Sequence, residues 1–175
     1  MGIKVGPKFD PDELINLIRV LNPEEEEGRI TLIHRYGVDE VAEKLPIIID
    51  AIQEAGVNVL HTCDPMHGNT FSTNSGIKTR SFDKIFSELE SQFRIHEEKG
   101  TILGGVHLEL TGDNVTECIG GVSNLGEPDL ERAYKSAVDP RLNYDQAMEM
   151  AFSIAEQMKT KRSNGKGNGS NEPSA

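Results

Sequence analysis

The sequence predicts an α/β protein built on a parallel β-sheet. Short apolar segments near residues 3–7, 29–35, 57–63 and 105–110 have the length and composition of buried strands. Longer segments lie between and after them, and most of these place apolar residues at helical spacing. Strands that alternate with helices in this way pair in parallel, so we expect one sheet with helices packed against it.

The first strand is short and ends at a Gly-Pro turn. After it, Asp10 and Pro11 have the residue types of a helix N-cap and a first helical position, and apolar residues follow at helical spacing. We expect this helix to end near Pro23, because proline cannot continue it. The second strand is predicted over residues 29–35.

The second predicted helix covers residues 38–55. We expect Pro46 to interrupt it and Gly56 to end it, because proline removes a helical N–H donor and glycine readily adopts the left-handed conformation of a helix C-terminus. The third strand, residues 57–63, leads into a long loop that is predicted to reach Arg80.

Two further helices complete the pattern. One covers residues 82–99 and ends at Gly100, and the other begins after Asn143, a residue type common at helix N-caps. We expect one folded domain over residues 1–161. It is followed by a disordered tail, residues 162–175, which is rich in glycine, asparagine and serine.

The fourth predicted strand, residues 105–110, has two distinct faces. Side chains alternate along a strand, so Val106, Leu108 and Leu110 share one face and Glu109 lies on the other. We expect the apolar face to pack against the helices. Glu109 is then directed into a cleft or a barrel.

The composition excludes two classes of partner. The formal net charge of −11 at pH 7 argues against nucleic acid, whose phosphates bind clustered lysine and arginine. No apolar run approaches the roughly 18 residues that a membrane-spanning helix needs. The two cysteines, Cys63 and Cys118, do not form a disulfide framework, and we expect both to be buried thiols in a reducing compartment.

A polar loop that contains His67 follows the third strand. Its expected partners are Glu109, at the end of the fourth strand, and Asp139, before the last helix. The carboxyl ends of parallel strands meet at one edge of the sheet, where α/β proteins place functional residues. An imidazole and two carboxylates suit a divalent metal, so these three residues are candidate ligands. A hydrogen-bonded structural role is the alternative for His67.

Cationic residues lie at the same ends of the strands. Lys4 and Arg35 are placed to bind a small anion, and pairing with nearby carboxylates is the alternative for each. The other histidines are expected to have structural roles: His34, His61, His96 and His107.

Several sequence blocks are more specific than these patterns, and they occur in a fixed order. They are Ile3-Lys4-Val5-Gly6-Pro7, Arg35 before Gly37, Cys63-Asp64-Pro65-Met66-His67-Gly68-Asn69-Thr70, Lys78-Thr79-Arg80, Gly104-Gly105-Val106-His107-Leu108-Glu109, Thr111-Gly112-Asp113-Asn114-Val115-Thr116-Glu117-Cys118-Ile119-Gly120-Gly121 and Asp139-Pro140-Arg141-Leu142-Asn143. Together they resemble the class II (plant-type) 3-deoxy-D-arabino-heptulosonate 7-phosphate (DAHP) synthases. The resemblance covers about residues 2–160.

The resemblance implies an enzyme, a transferase of the aldol-condensation type. It would condense phosphoenolpyruvate with erythrose 4-phosphate and water to give DAHP and phosphate, the first step of the shikimate pathway to chorismate and the aromatic amino acids. His67, Glu109 and Asp139 match the family's ligands to a divalent metal. Manganese is the expected ion, with cobalt or another divalent ion as alternatives.

The resemblance also assigns roles to the cationic residues. Lys4 and Arg35 match residues that bind phosphoenolpyruvate, and Lys4 and His67 are expected to take part in catalysis. Lys78 and Arg80 are candidate contacts to the substrates.

The fold of this family is a TIM (β/α)8 barrel, and the chain resembles its C-terminal half, the last four βα units. The resemblance therefore implies a missing N-terminal half-barrel, which supplies a cysteine metal ligand and further substrate-binding groups. Cys63 is not expected to replace that ligand, and Val138 stands where the family commonly has cysteine. We expect the isolated chain to be inactive and the full-length enzyme to be a homo-oligomer.

Two other functions stay open at the level of sequence. One is a non-catalytic half-barrel, either a gene remnant or an interaction protein, and the other is an unrelated metal-dependent phosphatase or lyase with the same ligands. An in-frame stop codon just upstream of Met1 would exclude missing coding sequence and favour the half-barrel. The expected location is the cytoplasm, or the plastid in a photosynthetic eukaryote.

Overall fold

The structure, a computed structural model, describes residues 1–165 and has the predicted α/β architecture. The main sheet contains four parallel strands in the order β1 (Gly2–Val5), β2 (Thr31–His34), β3 (Leu60–Cys63) and β6 (Leu103–Val106). Within residues 1–165, no helix has the length and apolarity needed to cross a bilayer. Residues 166–175, most of the predicted tail, lie outside the described part, so the boundary at residue 161 stays a prediction.

The α-helices of the described part are α1 (Pro11–Leu21), α2 (Val41–Ala55), α3 (Phe82–Glu98) and α4 (Tyr144–Gly165). The Asp10 carboxylate accepts hydrogen bonds from the N–H groups of Asp12 and Glu13, at 3.0 and 3.1 Å, which confirms the N-cap of α1. Gly56 has a φ of 66° and ends α2 in the left-handed conformation. Asn143 Oδ1 accepts a backbone N–H of the first turn of α4 at 2.9 Å, as predicted for an N-cap.

Helix α2 runs through Pro46 without the predicted interruption. Pro46 lies in the second turn of the helix, where its missing N–H removes one helical hydrogen bond. The flanking residues Leu45, Ile48 and Ile49 are buried in the core. Their packing stabilises the helix across the lost bond, since tertiary contacts supply most of the stability of a protein helix.

Strand β6 ends earlier than the sequence predicts. It stops at Val106, and the last hydrogen bond to β3 runs from the His107 N–H to the Cys63 carbonyl, at 2.7 Å. Because β3 itself ends at Cys63, it offers no pairing to later residues. Leu110 is therefore 51% exposed instead of packing against the helices, and it forms an isolated bridge with Leu142.

A β-hairpin occupies part of the predicted long loop. Strands β4 (Thr70–Ser72) and β5 (Lys78–Arg80) pair antiparallel across a turn that contains Asn74, Ser75 and Gly76. Gly76 has a φ of 86°, a conformation that glycine adopts without strain. An Asn-Ser-Gly turn between short β-prone segments is a hairpin signal, although three-residue strands make it weak.

The two faces of the main sheet have different environments. Side chains directed at the helices are buried, including Val5, Leu32 and Cys63. On the opposite face, Lys4 is exposed and Ile33 is half-buried. Lys4 therefore lies on the open face of the sheet, near the carboxyl end of β1.

Three histidines lie buried between the sheet and α3. His34 Nε2 and His61 Nδ1 share a hydrogen bond of 2.9 Å, and the two rings are nearly parallel, with an angle of 16° between their planes. The ring of His96 lies 4.9 Å from that of His61, measured between centroids. Burial lowers the pKa of His61 to about 4. Burial, followed by the neighbouring imidazoles, lowers the pKa of His34 well below its ordinary value.

These buried histidines are expected to make stability depend on pH. A histidine in the unfolded chain has a pKa of about 6.5. Between about pH 4 and 6.5 this histidine is therefore protonated in the unfolded state, whereas folded His61 stays neutral. The stability contributed by this group is therefore complete above about pH 6.5 and is lost as the pH falls toward about 4. As the pH falls from about 6.5 to about 4, protonation linked to His61 should lower the unfolding free energy of the wild type by about 3 kcal/mol. We expect His61→Gln to lack this part of the decrease, which urea unfolding at several pH values measures.

The matched control is His107→Gln, which changes an exposed histidine. Its unfolding free energy should follow the wild-type pH dependence. A His61→Gln variant with the wild-type slope between about pH 4 and 6.5 would show that this histidine is not the source of the pH dependence.

Candidate functional site

His67, Glu109 and Asp139 come together at the carboxyl end of the main sheet. His67 begins a short 3-10 helix (His67–Asn69) after β3, Glu109 follows β6, and Asp139 lies in the irregular segment before α4. The His67 Nε2 atom is 3.4 Å from Glu109 Oε1 and 3.6 Å from Asp139 Oδ2. The structure thus brings together the three residues that the sequence suggested as metal ligands.

Backbone pairing joins the two segments that carry the carboxylates. The Leu142 N–H donates to the Glu109 carbonyl at 2.9 Å, and the Thr111 N–H donates to the Leu142 carbonyl at 2.9 Å. This short pairing is parallel, like the main sheet, although it lies beyond the end of β6. It holds the segment that contains Asp139 beside Glu109.

Asp64 orients the ring of His67. Its fully buried carboxylate lies 2.7 Å from His67 Nδ1 and also accepts the backbone N–H of His67, at 3.2 Å. Lys4 Nζ donates to the same carboxylate. A proton on Nδ1 leaves the Nε2 lone pair for the side facing the other two carboxylates, which is how carboxylates orient metal-binding histidines.

Asp64 stays ionised in spite of its burial. Burial acts to raise its pKa, but the hydrogen bonds from Lys4 and His67 outweigh this effect, and the pKa of Asp64 is lowered. The sequence analysis assigned no role to Asp64. The feature that could have identified it is its position three residues before a candidate histidine ligand.

Two cations of β5 bind the carboxylates of the site. The fully buried Arg80 guanidinium donates to Glu109 and, at 2.6 Å, to the Pro140 carbonyl. Lys78 donates to Asp139, and this hydrogen bond lowers the pKa of Asp139. Asp139 is therefore ionised at neutral pH. The predicted contact of Lys78 or Arg80 with a substrate stays a prediction.

Lys4 and Arg35, the predicted anion-binding residues, line one cavity with a volume of about 580 Å³. Lys8 adds a third cation to the lining, and the acidic residues there are Glu13 and Glu40. Lys4 already pairs with the Asp64 carboxylate, which is outside the lining, as the alternative for this residue predicted. A lining with three cations and two acidic residues suits a small anion.

The loops that carry Arg35 and His67 touch through two glycines. A Cβ atom added to Gly68 would lie 2.2 Å from the Gly37 nitrogen, and one added to Gly37 would lie 2.7 Å from the Gly68 carbonyl oxygen. Gly37 also has a φ of 87°. Only glycine permits so close an approach of two backbones in this conformation.

Glu117 organises the segment that contains Asp139. Its fully buried carboxylate accepts the backbone N–H groups of Lys135, Ser136 and Arg141, at 2.8 to 3.0 Å. The Arg141 guanidinium donates to both of its oxygens, at 2.7 and 2.9 Å. Burial acts to raise the pKa of Glu117, but these donors outweigh it and lower the pKa. Sequence reasoning assigned no role to Glu117, because its donors lie far along the chain.

Cys63 and Cys118 are buried, free thiols, as the sequence predicted. Burial raises the pKa of Cys63 well above its ordinary value and raises the pKa of Cys118 to about 12. Metals bind the thiolate form, so thiols in this state are poor ligands.

The chain matches known proteins over most of its length. The family model described as the class-II DAHP synthetase family matches residues 1–155. A phospho-2-dehydro-3-deoxyheptonate aldolase of Neurospora crassa is 51% identical over 164 residues, which cover 93% of this chain and 34% of that protein. The aldolase AroG of Mycolicibacterium smegmatis is 44% identical over 159 residues, which cover 91% of this chain and 34% of that protein. A relative with the same aldolase name from Streptomyces coelicolor is 45% identical over 156 residues, which cover 89% of this chain and 35% of that protein.

The chain spans about a third of the length of these curated relatives. The segment that matches the family model runs from residue 1 to residue 155, so it contains all the candidate site residues of this chain, from Lys4 to Asp139. Such a match covers both the sheet and the side chains at its carboxyl end. The chain therefore belongs to the class-II DAHP synthetase family.

Proposed function

We propose that the chain provides the metal ligands and part of the substrate site of an enzyme that condenses phosphoenolpyruvate with erythrose 4-phosphate and water to give DAHP and phosphate. The observation that carries this proposal is the position of His67 Nε2, which lies 3.4 and 3.6 Å from oxygens of Glu109 and Asp139. The aldolase names of the relatives support the same reaction.

The three side chains fit one divalent ion. One ligand atom from each of His67, Glu109 and Asp139 lies within 4.8 Å of the other two, so one ion placed among them would be held by all three residues. A nitrogen donor and carboxylate oxygens suit Mn²⁺, with Co²⁺ or another divalent ion as alternatives. When bound, the ion would supply a Lewis acid for the aldehyde of erythrose 4-phosphate and a template for its orientation.

Lys4 and Arg35 would bind phosphoenolpyruvate in the cavity that they line. An ammonium and a guanidinium neutralise phosphate and carboxylate groups, and the fork of the guanidinium fixes their direction. Lys4 also donates to Asp64, which anchors it beside the ring of His67. Two substrates held in this way would present C3 of the enolpyruvate to the aldehyde carbon, after which water adds at C2 and phosphate leaves.

We also propose that the sheet is the C-terminal half of a (β/α)8 barrel. The strand order of the main sheet follows the chain order, and each pair of neighbours is parallel. Each connection between neighbouring strands is expected to be a right-handed crossover, and all of them lead in the same direction across the sheet. The helices therefore pack on a single face of the sheet, and the face that carries Lys4 is left open. A second half-barrel would cover this face and complete the site.

The proposed reaction can be tested by transplanting the chain into a relative. In the Neurospora crassa aldolase, the matched segment, 34% of that protein, is replaced by the segment of this chain that aligns with it. We expect the chimera to form DAHP only with a divalent metal and the isolated chain to form none. A folded chimera that binds Mn²⁺ yet forms no DAHP would contradict the proposal.

Asp64→Asn is expected to weaken Mn²⁺ binding by about 10- to 100-fold, the usual effect of losing the carboxylate behind a histidine ligand. Asparagine keeps the shape of the side chain but removes the charge that holds His67 and Lys4. Electron paramagnetic resonance of free Mn²⁺ measures the affinity. Asp12→Asn, an exposed change on α1, should bind like the wild type. Equal affinities for the two variants would exclude this role of Asp64.

A further inference from the structure

Glu88 of α3 is a fully buried carboxylate that contacts two loops at once. Its Oε1 atom accepts the Tyr36 N–H at 3.1 Å, and the Gly37 N–H also bonds to the carboxylate. Its Oε2 atom accepts Asn69 Nδ2 at 2.7 Å. Gln92, on the next turn of α3, donates to Oε1 at 3.2 Å.

Asn69 completes the connection between the loops. Its Oδ1 atom accepts the Val38 N–H at 3.0 Å, while its Nδ2 donates to Glu88. We call these two residues the Glu88–Asn69 clamp. The clamp joins residues 35–38, which follow β2, to residues 64–69, which follow β3.

A carboxylate in this position is energetically costly. Burial raises the pKa of Glu88 to about 7, and the hydrogen bonds from Tyr36, Gly37, Gln92 and Asn69 act to lower it. An apolar side chain would fill the same space without this cost. It would leave the Tyr36 N–H and the Asn69 amide buried without the acceptor that they now share, which is also unfavourable. The glutamate is therefore matched to donors that come from two different loops.

The clamp lies where those loops already touch. Gly37 and Gly68 meet backbone to backbone, so neither loop can move toward the other. The clamp prevents movement in the opposite direction, because separation of the loops would break hydrogen bonds to a buried carboxylate. One loop carries Arg35 and the other carries His67.

We propose that Glu88 is a positioning residue that, together with Asn69, fixes the separation between Arg35 and His67. The inference rests on the proposed function for the roles of Arg35 in anion binding and His67 in metal binding. Glu88 acts through the backbones of the two loops and touches neither substrate nor metal.

Amide hydrogen exchange tests the clamp without metal or substrate. Glu88→Gln keeps the size of the side chain but replaces one acceptor oxygen with a donor. We expect exchange at Tyr36, Gly37 and Val38 to accelerate on the order of tenfold, with the amides of the main sheet unchanged. Glu90→Gln makes the same change on the exposed side of α3 and should exchange like the wild type. Unchanged exchange at Tyr36 and Val38 in Glu88→Gln would overturn the proposal.

A second variant, Asn69→Ala, removes the other half of the clamp and also provides a test should Glu88→Gln fail to fold. It should accelerate exchange at Tyr36 as well as at Val38, although Asn69 bonds directly only to the latter N–H. If the two residues act as one unit, the double variant will exchange no faster than the faster single variant. Additive effects would overturn the clamp.

Broadening of amide signals by bound Mn²⁺ distinguishes a positioning role of Glu88 from a purely structural one, because a purely structural role would leave the broadening unchanged. An ion bound at His67 broadens nearby amide signals, and the effect falls steeply with distance. We expect Glu88→Gln to weaken the broadening at Arg35 and Tyr36, and Glu90→Gln to preserve it. Equal broadening in both variants would overturn the positioning role. A wild-type chain that binds no Mn²⁺ would contradict metal binding at His67 in the chain alone, and hydrogen exchange would still decide the clamp.

Discussion

Replacing His67 with alanine is expected to abolish specific Mn²⁺ binding by the chain. The substitution removes the nitrogen donor, and Arg80 and Lys78 already neutralise the remaining carboxylates of Glu109 and Asp139. We expect the affinity to fall by more than about 100-fold, beyond the effect of losing a residue that only orients a ligand. Electron paramagnetic resonance of Mn²⁺ measures the affinity, and one ion per wild-type chain is expected.

The fold should survive this change, because the side chain of His67 is 20% exposed and lies outside both core clusters. Thermal unfolding of His67→Ala is expected to stay within a few degrees of the wild type. His107→Ala is the matched control, since it removes an exposed histidine from the same chain. If His67→Ala and His107→Ala bound Mn²⁺ equally well, His67 would not be a ligand.

Glu117→Gln is expected to lower the free energy of unfolding by about 2–3 kcal/mol. Breaking a buried ion pair costs about 3–5 kcal/mol, and we expect less here because Arg141 is partly exposed to water. Glutamine offers one acceptor oxygen in place of two, so N–H donors of Arg141 and of the segment 135–141 lose their partners. Urea unfolding at pH 7 measures the change. Glu127→Gln, an exposed substitution, should be neutral.

The same variant is expected to weaken Mn²⁺ binding, because Glu117 holds the segment in which Asp139 lies. Without those hydrogen bonds, Asp139 must be ordered at the moment of binding, which costs conformational entropy. A Glu117→Gln chain with wild-type stability would show that the buried ion pair contributes little. One with lower stability but wild-type affinity would show that Asp139 is positioned by the pairing of Leu142 alone.

The helix ends of this protein could be predicted because capping is a local interaction. Asp10, Gly56 and Asn143 each act on backbone groups a few residues away, and each occupies the predicted position. Pro46 is the exception, since the packing of α2 against the core outweighs the loss of one hydrogen bond.

The strand ends could not be predicted in the same way, because a strand continues only while its neighbour offers partners. β6 ends beside Cys63, where β3 ends, although the apolar alternation of its own sequence continues to Leu110. The hairpin of β4 and β5 likewise depends on the pairing of two very short strands. It brings Lys78 and Arg80, expected in a loop, against the carboxylates of the site.

The candidate site residues could be predicted from the sequence, because residue type and position after a strand are enough to suggest a metal ligand or an anion-binding cation. By itself the sequence determined the α/β class, the alternation of the four main strands with the helices, and the candidate ligands His67, Glu109 and Asp139. Only the tertiary structure decided the distances from His67 to the two carboxylates and the hydrogen bonds of Asp64 and Glu88. The physical reason is that buried carboxylates act on donors from distant segments, and only the packed fold brings those segments together.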